Sequence, residues 1–266
     1  MTTKKNDYSI FLYWENKKGC VRPNYLDKCL LTIKKNNRNV VLVTPENIHS
    51  YIPKNKISSK IWKLDLIAQR SDYFRYLLIH HNGGLWLDFD TICLKNLDSV
   101  IAKLENYELA FQSEQFFAGR KGVFEDVILD IEQKIAKKMT KKYLYKIYLK
   151  NFLNTYLNFS YMEEKLQVKP FEWTEIGIDC VRKHIHKYNV HYIEQSTWKT
   201  KMKYSWEPQT NVLMFSENIT TENFLNKEQL LVKLFNHMYD KEKKESLDDN
   251  KNNLFNKIVA IALEGE

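Results

Sequence analysis

After a polar start, the chain runs through YSIFLYW at residues 8–14, an apolar stretch of the length of a buried strand. Residues 24–36 carry apolar positions at helical spacing, and NVVLVT at 39–44 predicts a second strand. Thr44, Pro45 and Glu46 have the form of a helix start: a capping hydroxyl, proline at the first position and an acid behind it. Residues 59–80 predict a longer helix that stops at Asn82-Gly83-Gly84. LWLDFDTICL at 85–94 reads as one third strand, and ELAFQ at 108–112 continues the sheet. Strands alternating with helices predict an α/β fold around a largely parallel sheet.

The second half turns helical. Residues 122–160 predict long helix, basic and rich in tyrosine, and residues 174–188 predict another. VHYIE at 190–194 and NVLMFS at 211–216 read as further strands. LLVKLFNHMY closes the stretch up to residue 240, KEKKESLDDNKNN is a solvated linker, and NLFNKIVAIAL at 253–263 is amphipathic. No repeat or composition break divides the chain. It is expected to form a single domain over 1–266, with a helical C-terminal portion from about residue 122.

Composition narrows the partners. The 266 residues include 41 Lys and Arg against 33 Asp and Glu, a formal charge of +8. Such an excess suits nucleotide phosphates or acidic lipid headgroups. The lysines are scattered and form no nucleic-acid-binding motif, so no nucleic-acid partner is expected. Cys20, Cys29, Cys93 and Cys180 show no ligand spacing and read as reduced thiols. No apolar stretch reaches the ~18–20 residues of a membrane span. A cytoplasmic location follows; the basic stretch 137–159 reads as a solvated helix face over a buried aromatic stripe or as a surface resting on an anionic inner membrane face, and the segment 253–263 permits the same membrane contact or simple docking on the domain.

The chemistry concentrates in SDYFRYLLIHHNGGLWLDFDT, residues 71–91. In a strand, Asp88 and Asp90 would share one face, and two carboxylates that close need compensation. Asp72 and Arg75 stand three apart on the preceding helix, hence on one face. In open α/β sheets ligands bind beyond the C-terminal ends of strands. A carboxylate pair there is a hard-oxygen site of the kind that suits Mg²⁺ or Mn²⁺ together with substrate phosphates. Plainer readings exist for each part: a solvated strand end, an ion pair between Asp72 and Arg75, a glycine C-cap, and core aromatics at Tyr13 and Trp14.

The whole unit resembles the core motif of the DXD glycosyltransferases of the sugar-binding-region type, which include bacterial capsular polysaccharide synthesis enzymes. Ser71-Asp72, Arg75, Gly83-Gly84, Asp88 and Asp90 carry the resemblance. WTEIGIDCVRKHIHKY and LLVKLFN resemble two later family segments, less closely. The resemblance implies a GT-A-like fold, a mostly parallel Rossmann-type sheet with added C-terminal helices. It implies a metal-dependent, retaining hexosyltransferase using a nucleotide sugar, UDP-sugar above all, with a bacterial surface glycan or lipid-linked oligosaccharide as acceptor. By position, Asp88 and Asp90 would hold Mn²⁺ or Mg²⁺, Asp88 also reaching the ribose or sugar. Asp72 would accept from donor sugar hydroxyls, and Arg75 would orient the sugar or a phosphate. Tyr13 and Trp14 would flank the base, and Gly83 and Gly84 belong to the donor-binding set.

This chain departs from that pattern at two places. Ile178 stands where relatives have proline. Lys233 stands where many have histidine, so Lys233 would meet the diphosphate and His237, one helical turn on, would supply the missing imidazole to the metal. Glu175 is a further candidate to face donor or acceptor. His80 with His81, and His184 with His186, do not share a helix face and form no metal pair. Two other functions compete. DFDTI superficially matches the haloacid-dehalogenase phosphatase motif, but Ile92 holds the place of its threonine. A non-catalytic sugar- or nucleotide-binding module would not need the intact acid pair.

Overall fold

The computed structural model describes residues 8–17, 19–143, 145–146, 148–149, 171–201, 212–236 and 246–264. A six-stranded mixed sheet forms its centre, and three of its five pairings are parallel. In chain order the strands of this sheet are β1 (Ile10–Tyr13), β2 (Val40–Val43), β3 (Gly84–Leu87), β5 (Leu109–Ser113), β6 (Phe116–Gly119) and β7 (Val190–Tyr192). Their spatial order is β2-β1-β3-β6-β5-β7. A second, two-stranded antiparallel sheet joins β4 (Thr91–Cys93) to β8 (Leu231–Lys233).

Alternation along the strands builds two cores. Ile10 and Leu12 of β1, with Leu85 and Leu87 of β3, face one layer; Phe11, Tyr13 and Trp86 face the other. Strands buried on both faces read as continuous apolar runs, which is why YSIFLYW shows no polar alternation. The first layer holds helix α1 (Tyr25–Asn36) and a C-terminal helix, Leu254–Glu264. The second holds α2 (Ile67–Asn82) and α4 (Glu125–Lys138). Between them in sequence lies α3 (Asp98–Ile101); α5 (Ile178–His184) and α6 (Thr221–Phe224) follow, so the C-terminal helix is α7.

The connection from β1 to β2 passes through α1 on one face, and that from β2 to β3 passes through α2 on the other. The winding therefore reverses between the adjacent parallel strands β1 and β3. That is the switch point at which doubly wound sheets open a ligand crevice.

Several predicted boundaries shift. LWLDFDTICL is two strands in two different sheets, because the chain bends at Phe89 and Asp90. Thr44-Pro45-Glu46 starts a turn and a short 3₁₀ segment, Ile48–Ser50, instead of an α-helix. The helix expected from residue 59 begins at Ile67, after a 3₁₀ turn at Ile61–Lys63. NVLMFS is no strand in its described part: residues 212–213 are helical and Met214 is core. The basic stretch 137–159 lies mostly outside the described residues. No helix among the described residues is long and apolar enough to cross a membrane.

Candidate functional site

A cavity of about 850 Å³ opens at the C-terminal ends of β1 and β3, within the range of small-molecule sites. Trp86 and Asp88, two apart, lie on the same side of the chain as it leaves β3. Asp88 Oδ1 accepts from the Trp86 indole at 2.9 Å, and the Asp88 amide donates to Gln115 O at 3.0 Å. Asp90 immediately precedes β4 of the small sheet, and its carbonyl accepts the Leu234 amide at 2.9 Å. The acid pair is thus assembled by a bend between two sheets, not by one strand face as the alternation predicts.

Lys233 lies between the two carboxylates. The β4–β8 register sets it opposite Thr91, one residue past Asp90. Its Nζ donates to Asp88 Oδ2 at 2.8 Å and also to Asp90 Oδ1. The remaining oxygen, Asp90 Oδ2, accepts the Asn236 amide at 2.6 Å. Phe235 takes a left-handed φ of 53° to bring that amide back, a conformation costly for a bulky residue and found where surroundings enforce it. Burial opposes the charge on Lys233, yet Asp88 and Asp90 outweigh it and hold the ammonium above its ordinary pKa. Burial likewise pushes Asp88 up, but Lys233 and Arg75 hold its carboxyl below the usual range.

Arg75, on α2, is the second buried cation. It pairs with Asp72 Oδ1 at 2.5 Å and lies 3.7 Å from Asp88 Oδ1 and 4.0 Å from Glu114 Oε2. It donates to Glu114 O at 2.7 Å and stands 5.5 Å from the centre of the Trp86 ring. One guanidinium therefore serves three carboxylates. Burial raises Asp72 to about 7 against the pull of Arg75, with Glu114 and Asp88 adding to the rise. Burial raises Glu114 too, partly offset by Arg75.

At the end of β1, Glu15 is gripped by both arms of Arg70, at 2.7 and 2.9 Å, and accepts the Tyr13 hydroxyl at 2.8 Å. Trp14 packs on Phe89 with ring centres 5.5 Å apart. Tyr13, Trp14, Asp72, Arg75, Asp88, Asp90 and Lys233 all reach the cavity.

Residues 3–107 match the family described as "Glycosyltransferase sugar-binding region containing DXD motif". Among solved structures the chain is similar to the glycosyltransferase GlyE of Streptococcus pneumoniae TIGR4. That likeness is 11% identity over 96% of this chain and 63% of that one, with a TM-score of 0.42. It is similar also to the apo-form of GlyE, at 12% identity over 96% of this chain and a TM-score of 0.40. The chain spans 63% of the length of these structures. No curated protein matches it.

The resemblance to DXD-motif glycosyltransferases implies a divalent metal at the acid pair. In this chain all four oxygens of the DXD pair already accept from N–H donors. A divalent cation between the two acids would meet the Lys233 ammonium. At ~3 Å, +2 and +1 repel by about 11 kcal/mol even at an effective dielectric of 20. No group of three or more His, Cys, Asp or Glu among the described residues is arranged to hold a metal. His237 lies outside the described residues. The donor set present does not fit a divalent cation unless Lys233 leaves.

Other expectations are corrected. Gly83 and Gly84 do not line the cavity; they sit at the opposite end of β3. Gly83, at φ 70°, closes α2 through its amide to Ile79 O at 2.8 Å. Gly84 lets β3 approach β1, since a Cβ there would stand 2.4 Å from Ser9 O. Glu175 does not line the cavity: it pairs with Lys138 at 2.5 Å and caps the Glu172 amide. Residues that sequence reasoning missed are Glu15, Arg70, Glu114 and Asn236. Only Glu15 carried a signal, as an acid directly after the first strand.

Proposed function

We propose that the protein transfers a sugar from a nucleotide sugar, a UDP-sugar in the first instance, to a hydroxyl of a glycan acceptor. The observation that carries this reading is the cavity at the β1/β3 switch point, where the DXD acids, Asp72, Arg75 and an aromatic wall converge. In the transfer, the bond from the anomeric carbon to the diphosphate breaks with its electron pair on the diphosphate. The acceptor oxygen bonds to that carbon, and its proton leaves to the diphosphate. Retention of configuration is the expectation, and no residue is assigned as a covalent nucleophile.

Roles follow from chemistry and position. Trp14 offers a ring face to the base, while Tyr13 steadies Glu15 at the cavity wall. Asp72, held by Arg75, accepts from donor sugar hydroxyls. Asp88 meets ribose or sugar hydroxyls, and Lys233 meets the diphosphate. Trp173, 55% exposed at the cavity edge, gives the acceptor sugar an apolar face. A bacterial surface glycan or lipid-linked oligosaccharide is the acceptor class. The phosphatase alternative lacks support, since Ile92 is wholly buried and Asp88 is tied to Lys233 and Trp86.

A thermal-shift and hydrolysis panel of nucleotide sugars tests the reading. One or more donors should raise the melting temperature by mass action, and Asp88→Asn should abolish the rise. Release of phosphate from small phosphoesters, with no nucleotide-sugar binding, would overturn it.

A further inference from the structure

We infer that Lys233 is the resident cation of the acid pair, so that donor binding and departure of the diphosphate require no divalent metal. This rests on the nucleotide-sugar reading and specifies how the site meets the diphosphate charge. Lys233 is 5% exposed, and its ammonium bonds both Asp88 and Asp90. Two of its three N–H groups are thereby used. Lys233 lines the cavity, and the third N–H has no acceptor among the described residues. That is the arrangement of a fixed positive charge offered to an anion, with the acids acting as its holders.

The surroundings fix the ammonium in place. Its backbone is set by the β4–β8 ladder, and Leu234 N bonds Asp90 O. The left-handed Phe235 returns the Asn236 amide to the last oxygen of Asp90. Asn236 is in turn held by the Tyr25 hydroxyl at 2.5 Å. A metal ion would have to break these bonds and leave a buried ammonium with no acid beside it. Further positive charge stands on the loop after β1. Lys17 lines the cavity and has no carboxylate partner among the described residues, whereas Arg22, which lines it beside Phe89 at 5.3 Å from the ring centre, is paired with Asp27. Lys233 and Lys17 are then the side chains that meet the diphosphate in place of a metal.

The test measures UDP-sugar binding by calorimetry on the whole chain, with EDTA and with added Mn²⁺, alongside Mn²⁺ binding by electron paramagnetic resonance. Wild type should bind the donor within about twofold under both conditions and should leave Mn²⁺ free. Lys233→Met should lose at least about tenfold in donor affinity in EDTA. Lys233→His, which removes the fixed charge and restores an imidazole, should acquire Mn²⁺ binding and become sensitive to EDTA. Donor binding by wild type only in the presence of Mn²⁺ would overturn the inference and leave the nucleotide-sugar reading standing. No binding of any nucleotide sugar with or without Mn²⁺ would overturn both. The wild-type measurements decide the matter even where a variant fails to fold.

Discussion

Replacing Arg75 by methionine tests how the site is held together. The guanidinium is 5% exposed and lies 2.5, 3.7 and 4.0 Å from oxygens of Asp72, Asp88 and Glu114. At an effective dielectric of about 20, each contact carries roughly 4–7 kcal/mol of gross attraction. Desolvation of the four charges offsets most of that, so the intact cluster contributes little net stability. Removing one partner is different. Three acids then remain with Lys233 as their one buried cation in the cavity, and the cost is about 3–5 kcal/mol. Against a total stability of ~5–15 kcal/mol, that is a large loss.

The sign with pH follows. Asp72 already titrates at about 7 because burial outweighs Arg75, and Glu114 is raised for the same reason. Without Arg75 both rise further. A carboxyl raised in the folded state binds more protons than in the unfolded chain, so stability is greatest below the unfolded value of ~4 and falls as pH rises through the folded one. Urea unfolding of wild type and Arg75→Met at about pH 5 and pH 8 should show a deficit that widens at the higher pH. Adding Asp72→Asn should recover part of it, since the two residues are in contact. A loss under about 1 kcal/mol, or one unchanged by pH and by Asp72→Asn, would refute the shared-cation reading.

Three further outcomes are expected. Gly84→Ala forces a Cβ to 2.4 Å from Ser9 O at φ 113°; denaturation should show a loss of about 4 kcal/mol from strain and overpacking, with the donor site intact in whatever fraction folds. Gly177→Ala places a methyl 3.1 Å from Asp72 Oδ2 and 3.2 Å from Glu114 Oε2; calorimetry should show weakened donor binding beside a stability loss of only about 1 kcal/mol. Phe255→Ala empties a fully buried place on α7 against Tyr25, 6.0 Å between ring centres. It should lower stability by about 3–5 kcal/mol and also weaken donor binding, because Tyr25 holds Asn236.

What the chain showed in advance follows local rules. The β1, α1 and β2 segments were legible because apolar run, helical spacing and turn residues agree within one window. The end of α2 was legible from Gly83. The bend at Phe89-Asp90 was not, because LWLDFDTICL contains no glycine or proline and both halves are apolar. The hairpin of β5 and β6 hid for the same reason: Glu114 and Gln115 are ordinary residues at a tight turn. NVLMFS misled because its apolar side chains serve a helical turn on the core as well as they would a strand. Asp72 and Arg75 were legible since helix geometry alone pairs them. Glu114 and Asn236 reach the site through contacts distant in sequence, and no local pattern announces those. Segment 253–263 offered a membrane face or a docked helix; α7 buries Leu254, Phe255, Ile258, Val259 and Ala262 against the domain.

The division of the acid pair between two sheets bears on why a lysine stands there at all. Asp88 is positioned by the large sheet through β3, and Asp90 by the small sheet through β4. Their separation is therefore set by how the two sheets meet, which apolar packing alone leaves adjustable. A single ammonium bonded to both acids fixes that distance, since any slip of β8 along β4 would carry Lys233 away from Asp88. Buried polar contacts that specify register are their best-attested structural use. Lys233 then has two duties that one substitution separates. Arginine would keep the charge but not the point geometry, so Lys233→Arg should retain anion affinity while loosening the β4–β8 pairing, seen as faster amide exchange at Leu234 and Asn236. Unchanged exchange there, with donor affinity lost, would mean that the lysine matters only to the ligand.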